Sequence, residues 1–216
     1  MSKQEFDSQI SREPEQLLRQ GLETLGFSAH HAPRLLCYLD VLAKWNGAYN
    51  ITAIRDPASM VVLHVLDSLA VLPHIEGERI VDVGTGGGLP GMVFAIVRPD
   101  WNLTLLDSNH KKTRFLRRAV RELKLENVRI ETARVEKFQP ECLYDVVISR
   151  AFARVDRFLR AAGHLCADKG RIVAMKGPRE ECRNISEDCP FVLEKAVSLR
   201  VPFLDAGRQL LIYQYR

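Results

Sequence analysis

The sequence lacks the cysteine spacing of a disulfide framework or a zinc site. Its five cysteines are odd in number and widely spaced, and no two form a Cys-x-x-Cys pair. Long apolar runs are also missing: residues 1–20 contain no apolar core of a signal peptide, and the longest apolar stretch, residues 60–72, is too short to span a bilayer. These absences predict a cytoplasmic protein with no membrane partner and no metal. The cysteines are Cys37, Cys142, Cys166, Cys182 and Cys189.

Repeats and low-complexity segments are absent as well, and the 216 residues have an ordinary globular composition, 46% apolar and 27% charged. A net positive charge is found only in the second half of the chain. Residues 1–75 have a net charge of −2 and residues 76–107 of −3, whereas residues 108–216 carry 23 Lys and Arg against 14 Asp and Glu, a net of +9. Binding of an acidic partner, with nucleic acid the first candidate, would explain this asymmetry. The alternative is a solvated basic surface.

The apolar pattern divides the chain into a helical section, residues 1–75, and a section of alternating strands and helices, residues 76–216. In the first section, apolar residues recur at helical spacing in three stretches. We expect Ser28 to cap the second helix, Gly47 to end it, and Asp56 to cap the third. The predicted helices cover residues 15–25, 28–46 and 57–72.

Short β-branched runs mark the strands of the second section. They occupy residues 80–83, 103–106, 128–130, 146–148 and 172–174, and a last strand, residues 209–215, follows a turn at residues 205–207. Helical patterns lie between them. This alternation predicts an α/β fold with a mostly parallel sheet, helices on both faces, and ligands bound beyond the carboxyl ends of the strands.

A glycine-rich loop follows the first predicted strand and can be aligned in two ways. Residues 86–91 match Gly-x-Gly-x-x-Gly, the dinucleotide fingerprint, but this match starts three residues past the strand and contains a proline. Counted from the strand end, Asp82-x-Gly84-x-Gly86-x-Gly88 resembles the first motif of class I S-adenosylmethionine-dependent methyltransferases. A carboxylate there suits a cationic cofactor, and a glycine-rich turn without a ligand is the remaining alternative.

The ends of the next three strands add candidate cofactor residues. Asp107 lies 23 residues past Gly84, close to the spacing at which an acidic residue binds the ribose of either NAD or S-adenosylmethionine. Val135 and Glu136 lie in the loop that would flank an adenine. The fourth strand leads into Arg150, and its carboxyl end should face the transferred methyl group.

Two motifs are missing after the fourth strand. The chain has no Pro-Pro, which enzymes that methylate exocyclic amino groups usually carry here, and no cysteine follows the strand as in the pyrimidine C5 enzymes. The acceptor should therefore be an atom that already has a lone pair. Guanine N7 fits because it carries no proton, so orientation is the main catalytic contribution and no residue is assigned as a general base.

Six motifs together resemble the GidB-type methyltransferases of bacterial small-subunit (16S) ribosomal RNA. Between about residues 45 and 211 the chain contains, in order, Asn50-Ile51-Thr52-Ala53-Ile54, His64-x-x-Asp67-Ser68, the glycine loop, Leu106-Asp107-Ser108, Ile148-Ser149-Arg150-Ala151 and Met175-Lys176-Gly177. The resemblance implies a class I, Rossmann-like fold. It also implies transfer of a methyl group from S-adenosylmethionine to N7 of a guanine in 16S rRNA.

The same resemblance implies a set of cofactor contacts. They fall on Gly84, Leu89, Val135, Glu136 and Arg150, with Asp107 at the ribose, and we include Gly86 of the same loop. Two departures are visible: Gly87 stands where the family usually has proline, which should loosen the loop, and Ile51 replaces the usual leucine.

Arginines at helical spacing are candidate contacts for the RNA backbone, with a solvated face as the alternative for each. Four lie within residues 108–124 and a fifth follows the fourth strand. They are Arg114, Arg117, Arg118, Arg121 and Arg154. Elsewhere, His64, Asp67 and Ser68 form a polar stripe on the third predicted helix, for which we favour a buried hydrogen-bonded cluster over catalysis.

Three other functions remain open at this point. A methyltransferase for a small molecule or a protein is the first, although the basic second half argues against it. An NAD-dependent oxidoreductase shares the strand, glycine and aspartate arrangement. A non-catalytic RNA-binding module would need a vestigial cofactor loop. For oligomeric state, we expect a monomer, with 16S rRNA or the small ribosomal subunit as its partner.

Overall fold

A computed structural model describes residues 13–150, 152, 154–177 and 188–216 of the chain. Ala151 of the fourth-strand motif and Cys182 lie outside these residues. Within the described part, helices come first and a seven-stranded sheet with further helices follows. The predicted order of a helical section and then an α/β section is therefore found in the structure.

The N-terminal section begins with helices α1 (Pro14–Thr24) and α2 (Ala32–Tyr49), joined through a short 3-10 turn. Ser28 caps this turn, since its hydroxyl accepts the His30 N–H at 3.4 Å. The predicted cap is therefore present, but it starts the 3-10 turn that precedes α2 rather than α2 itself.

Gly47 does not end α2, contrary to the prediction. The helix continues to Tyr49 and stops where Asn50 adopts a left-handed backbone, with a φ of 50°. Asn tolerates this conformation, and the buried Asn46 fixes the final turn by accepting the Thr52 N–H at 2.9 Å. These contacts outweigh the roughly 1 kcal/mol cost of a glycine inside a helix.

The third helical run is a composite of four short pieces. It comprises α3 (Pro57–Met60), a π-helical segment (Val61–Leu66), α4 (Asp67–Leu69) and a 3-10 turn (Leu72–His74). Asp56 caps its start, as predicted, by accepting the Ser59 N–H at 2.7 Å. The window Pro57–His74 is long and apolar enough to cross a membrane, contrary to the prediction that this apolar stretch is too short. However, 72% of the window is buried inside the fold, as in a core helix.

The sheet contains the five predicted parallel strands and an antiparallel pair. Its strands are β1 (Arg79–Val83), β2 (Asn102–Asp107), β3 (Val128–Thr132), β4 (Tyr144–Ser149), β5 (Cys166–Lys176), β6 (Phe191–Val201) and β7 (Leu204–Tyr215). Their order is β3-β2-β1-β4-β5-β7-β6, with β7 antiparallel to both β5 and β6. Between them lie α5 (Gly91–Val97), α6 (His110–Glu122) and α7 (Val155–Ala162).

The last hairpin differs from the prediction in two ways. Strand β6 has no counterpart in the sequence analysis, because it is an edge strand with a run of exposed residues and no clean apolar alternation. The predicted turn at residues 205–207 is wrong, since β7 already begins at Leu204. The chain reverses instead at residues 202–203, where Phe203 has a φ of 64°.

One continuous apolar core joins the helical section to the sheet. It includes Leu17 of α1, Leu35 of α2 and Ile80 of β1, together with residues of α5 and α6. Val81, which points to the opposite face of β1, belongs to a second cluster with Phe158 of α7. A division into units at residue 75 stays a prediction, because the first core spans both sides of it.

Candidate active site

The loop after β1 has a left-handed backbone at every second residue. Gly84, Gly86 and Gly88 have φ angles of 68°, 61° and 93°, in the region that favours glycine. A Cβ on Gly88 would lie 2.4 Å from Met92 Cγ and 2.8 Å from Leu116 Cδ2, so a larger residue does not fit there. This spacing matches the alignment counted from the strand end, and it favours the methyltransferase motif over the dinucleotide fingerprint.

Asp82 lies beneath this loop. Its side chain is fully buried, and its Oδ2 accepts the Thr85 hydroxyl at 2.6 Å and the Gly91 N–H at 2.9 Å. Burial raises the pKa of Asp82 to about 6, and the two hydrogen bonds offset this only in part. The carboxylate expected to face a cationic cofactor anchors the loop instead, because it shares with Ile80 the face of β1 that α5 covers.

Asp107 ends β2 and holds the glycine loop from the other side. Its Oδ2 accepts the Gly86 N–H at 2.9 Å, and its Oδ1 accepts the Asn109 N–H at 2.8 Å. Each carboxylate oxygen keeps a second lone pair, so the group can still accept two hydroxyls of a ribose. A Cβ on Gly86 would have only Lys112 Nζ and the Gly84 carbonyl oxygen within 4 Å, which leaves open space beside this carboxylate.

A cavity of about 170 Å³ opens at the carboxyl ends of β1, β2 and β3. We call it the first cavity. It brings together four residues predicted to bind the cofactor, namely Gly84, Asp107, Val135 and Glu136. Phe152 and Arg157, which follow β4, also line it. Three other predicted cofactor residues do not line this cavity: Gly86 lies beside it and donates to Asp107, Leu89 is buried, and Arg150 faces a second cavity.

The second cavity, of about 410 Å³, lies between the ends of β4 and β5, the start of β7 and the third helical run. Lys176 and Arg208 line it, as do Arg150 and the polar stripe residues His64 and Asp67. Arg208 was not identified from the sequence, because it approaches through antiparallel pairing of β7 with β5 and no local motif marks it.

Asp67 pairs with two arginines from distant parts of the chain. Arg208 Nε donates to Asp67 Oδ1 at 2.9 Å, and Arg150 Nη1 lies 3.5 Å from Asp67 Oδ2. Arg150 Nη1 also donates to the Leu63 carbonyl at 3.0 Å. The Asp67 side chain is 6% exposed, whereas those of Arg150 and Arg208 are 29% and 23% exposed. The guanidinium groups therefore reach the cavity while the carboxylate stays behind them.

His64 is buried against the same network. Its Nε2 lies 3.0 Å from Thr52 Oγ1, and its backbone carbonyl accepts the Ser68 hydroxyl at 2.6 Å. Burial, followed by the nearby Arg150 guanidinium, lowers the pKa of His64 to about 4, so the imidazole is neutral at neutral pH. The polar stripe is thus a buried hydrogen-bonded cluster, as expected, and its His64 and Asp67 also border the second cavity.

The basic side chains of α6 lie outside both cavities and all are exposed except the half-buried Lys112, while the opposite side of the helix buries Phe115 and Leu116. Arg118 is paired with Glu122 one turn along the helix. Arg114 and Arg121 have no ion pair among the residues that the structure describes.

Besides Arg118, two more of the predicted RNA contacts have partners within the chain. Arg117 Nη2 donates to Thr132 Oγ1 at 2.9 Å, and Arg154 pairs with Asp156 at 2.9 Å. Both are exposed pairs that a phosphate could displace at little cost. Contact with RNA stays a prediction for all five arginines.

No group of three or more His, Cys, Asp or Glu side chains in the described part of the chain is placed to hold a metal ion. The four described cysteines are free thiols, two exposed and two buried. Independence from metal stays a prediction.

Comparison with known proteins places this geometry in a family. The family model described as GidB, rRNA small subunit methyltransferase G, matches residues 31–212. The chain belongs to the GidB family. A relative named ribosomal RNA small subunit methyltransferase G from Laribacter hongkongensis is 49% identical over 197 residues, covering 89% of this chain and 94% of that protein. One of the same name from Escherichia coli O1:K1 / APEC is 45% identical over 190 residues, covering 87% and 91%.

Solved structures agree with the GidB assignment at the level of the fold. A SAM-dependent methyltransferase from Aquifex aeolicus matches with a TM-score of 0.57 at 17% identity, covering 76% of this chain and 96% of that one. Another from Thiobacillus denitrificans, in complex with S-adenosyl-L-homocysteine, has a TM-score of 0.51 at 12% identity, covering 70% and 90%. The predicted class I methyltransferase fold is therefore confirmed.

Proposed function

We propose that this GidB-family chain transfers a methyl group from S-adenosylmethionine to N7 of a guanine in 16S rRNA, free or within the small ribosomal subunit. The observation that carries the proposal is the family match over residues 31–212, a range that contains the glycine loop and both cavities. Relatives named ribosomal RNA small subunit methyltransferase G support the choice of RNA.

The residues of the first cavity fit S-adenosylmethionine. Asp107 keeps lone pairs for the ribose hydroxyls, the open backbone around Gly84 and Gly86 admits the methionine part, and Val135 and Glu136 flank the adenine. The bound cofactor would supply an electrophilic methyl group on its sulfonium. The chain's own part is to hold the acceptor atom in line and to exclude water.

We place the target guanine in the second cavity. Arg150, Arg208 and Lys176 bring three positive charges against the single carboxylate of Asp67, and guanidinium groups are suitable donors to guanine O6 and to a phosphate. Because N7 has no proton to lose, no side chain has to remove one. Lys176 Nζ donates to the carbonyl of Phe152 at 2.5 Å, which ties this cavity to a residue that lines the first.

Further details follow from this function as proposals. The exposed arginines of α6, Arg114 and Arg121 above all, would bind RNA phosphates. The protein would work in the cytoplasm, where ribosomes are assembled, as a monomer and without a metal. Its helical section, residues 1–75, would be an integral wall of the active site, since His64 and Asp67 belong to it.

Two measurements test the function. Calorimetry should detect binding of S-adenosylhomocysteine but not of NAD, and the reverse result would support an oxidoreductase. Labelled S-adenosylmethionine should then transfer its methyl group to small subunits that lack the modification. Label at any site other than a guanine N7 of the rRNA, or on protein, would contradict the proposal.

The placement of the guanine is tested with Arg208→Gln. We expect methyl transfer to fall about fivefold to 150-fold, because a bidentate donor is worth about 1–3 kcal/mol, while the Kd for S-adenosylhomocysteine changes less than twofold. Arg200→Gln is the matched control, since Arg200 is an exposed arginine of the neighbouring strand β6. Equal transfer by the Arg208 variant and the wild type would remove the second cavity from the acceptor site.

A further inference from the structure

The N-terminal helix α2 reaches across the fold to the glycine loop. Tyr38 of α2 is fully buried, and its hydroxyl donates to the Gly87 carbonyl at 2.5 Å. Around the same residue, Leu42 Cδ1 and Ile51 Cγ2 lie 3.4 Å from the position that a Cβ on Gly87 would occupy. The middle of the loop is therefore enclosed by a part of the chain 36 to 49 residues earlier in the sequence.

Gly87 is the part of the loop with the least local restraint. It lies between Gly86 and Gly88, and three successive glycines lose more backbone entropy on ordering than any other residues would. A proline at this position would restrict φ by itself, whereas glycine does not. Within the loop the Gly88 N–H donates to the Thr85 carbonyl at 2.9 Å, and the Tyr38 hydrogen bond adds a restraint from outside it.

The hydrogen bond acts next to a group of the first cavity. The peptide of Gly87 is joined directly to Gly86, whose N–H donates to Asp107 Oδ2 at 2.9 Å. The two hydrogen bonds therefore fix neighbouring residues of the loop, Gly87 from α2 and Gly86 from the carboxylate assigned to the ribose. The pKa of Tyr38 is raised by burial, so its hydroxyl stays protonated and able to donate at any pH at which the fold persists.

We propose that Tyr38 is a positioning residue for the cofactor, which keeps the 86–88 loop in the conformation that S-adenosylmethionine binds. The proposal rests on the proposed function for the identity of the ligand. It makes the N-terminal section a determinant of cofactor affinity although no atom of Tyr38 lines the first cavity. Loss of the hydroxyl would lower the fraction of molecules whose loop is ready to bind, and the apparent Kd rises in inverse proportion to that fraction.

The test is Tyr38→Phe, measured by calorimetry with S-adenosylhomocysteine. We expect the Kd to rise about fivefold, and the KM for S-adenosylmethionine to rise by the same factor at unchanged kcat. The matched control is Tyr144→Phe, which also removes the hydroxyl of a buried tyrosine, here one that donates to Thr104 Oγ1 at 3.0 Å. This control should lower the thermal midpoint to a similar extent and leave the Kd within twofold.

A second variant separates loop order from general stability. Gly87→Ala adds a methyl group at ordinary contact distance from Leu42 and Ile51 and restricts the backbone. Combined with Tyr38→Phe, it should recover at least half of the lost affinity. A Kd for Tyr38→Phe within twofold of wild type, or an equal loss in Tyr144→Phe, would overturn the proposal. Failure of the wild type itself to bind S-adenosylhomocysteine would instead refute the proposed function.

Discussion

Asp82 should make the stability of the protein fall as the pH rises, in the opposite direction to most paired carboxylates. The carboxyl group is fully buried, and burial raises its pKa from the ordinary value of 3.8 to about 6. A group whose pKa is higher in the folded state binds its proton more tightly there. Its stabilising effect is complete below the pKa of the unfolded chain and is lost as the pH passes through the folded value.

The magnitude follows from the shift of about two units. At about 1.4 kcal/mol per unit, the full loss is about 3 kcal/mol in the free energy of unfolding. About 1 kcal/mol of this is already gone at about pH 4.5, where the unfolded state is mostly ionised. The remaining ~2 kcal/mol should disappear between about pH 4.5 and pH 7.5.

The assay is urea unfolding of the wild type and of Asp82→Asn at both pH values. Asparagine cannot ionise, so its oxygen accepts from Thr85 and Gly91 at either pH, and subtracting its stability cancels the titration of every other group. The wild type should lose about 2 kcal/mol relative to the variant on going to the higher pH. A difference that stays flat, or one that grows in favour of the wild type, would refute this account of Asp82.

Two further predictions concern the loop and the surface. Gly88→Ala should lower the free energy of unfolding by ~2–4 kcal/mol, because the φ of 93° and the contact with Met92 are both unfavourable for alanine. Gly47→Ala should raise it by about 0.5–1 kcal/mol, because Gly47 lies inside α2 with open space around it. Chemical denaturation of the two variants should therefore give changes of opposite sign. Replacing Arg114 and Arg121 together by Glu should weaken binding to rRNA and flatten the dependence of the binding constant on salt concentration. Replacing the exposed Arg19 of α1 by Glu should change neither. Identical salt dependence for the two variants would exclude α6 from the RNA surface.

Much of the fold was predictable because its signals are local. Strands β1, β2 and β4 are short apolar runs buried in a parallel sheet, and the alternating glycines after β1 need left-handed backbone that few other residues adopt. The first cavity was predictable for the same reason: Gly84, Asp107, Val135 and Glu136 each follow a strand, and parallel strands bring their carboxyl ends to one edge.

The features that escaped prediction depend on distant contacts. The end of α2 at Asn50 rather than Gly47 reflects tertiary packing of the last turn, and the burial of Asp82 depends on α5 lying over one face of β1. The pairing of Asp67 with Arg208 requires β7 to run antiparallel beside β5, which no local pattern encodes. The residues of the first cavity were therefore predictable from local motifs, whereas those of the second cavity depend on how the strands pair.

The pairing of Asp67 with Arg208 also has a consequence for the time at which the enzyme can first work. The two residues are 141 positions apart. At roughly 5–20 residues per second, synthesis of the intervening chain takes on the order of 10–30 s. Until Arg150 is made Asp67 lacks both of its arginines, and for the rest of the interval it lacks Arg208, so the second cavity is incomplete. The residues of the first cavity end at Arg157, so all of them have been made 51 positions before Arg208; on the proposed function, a nascent chain has its residues for the methyl donor before those for the base are complete.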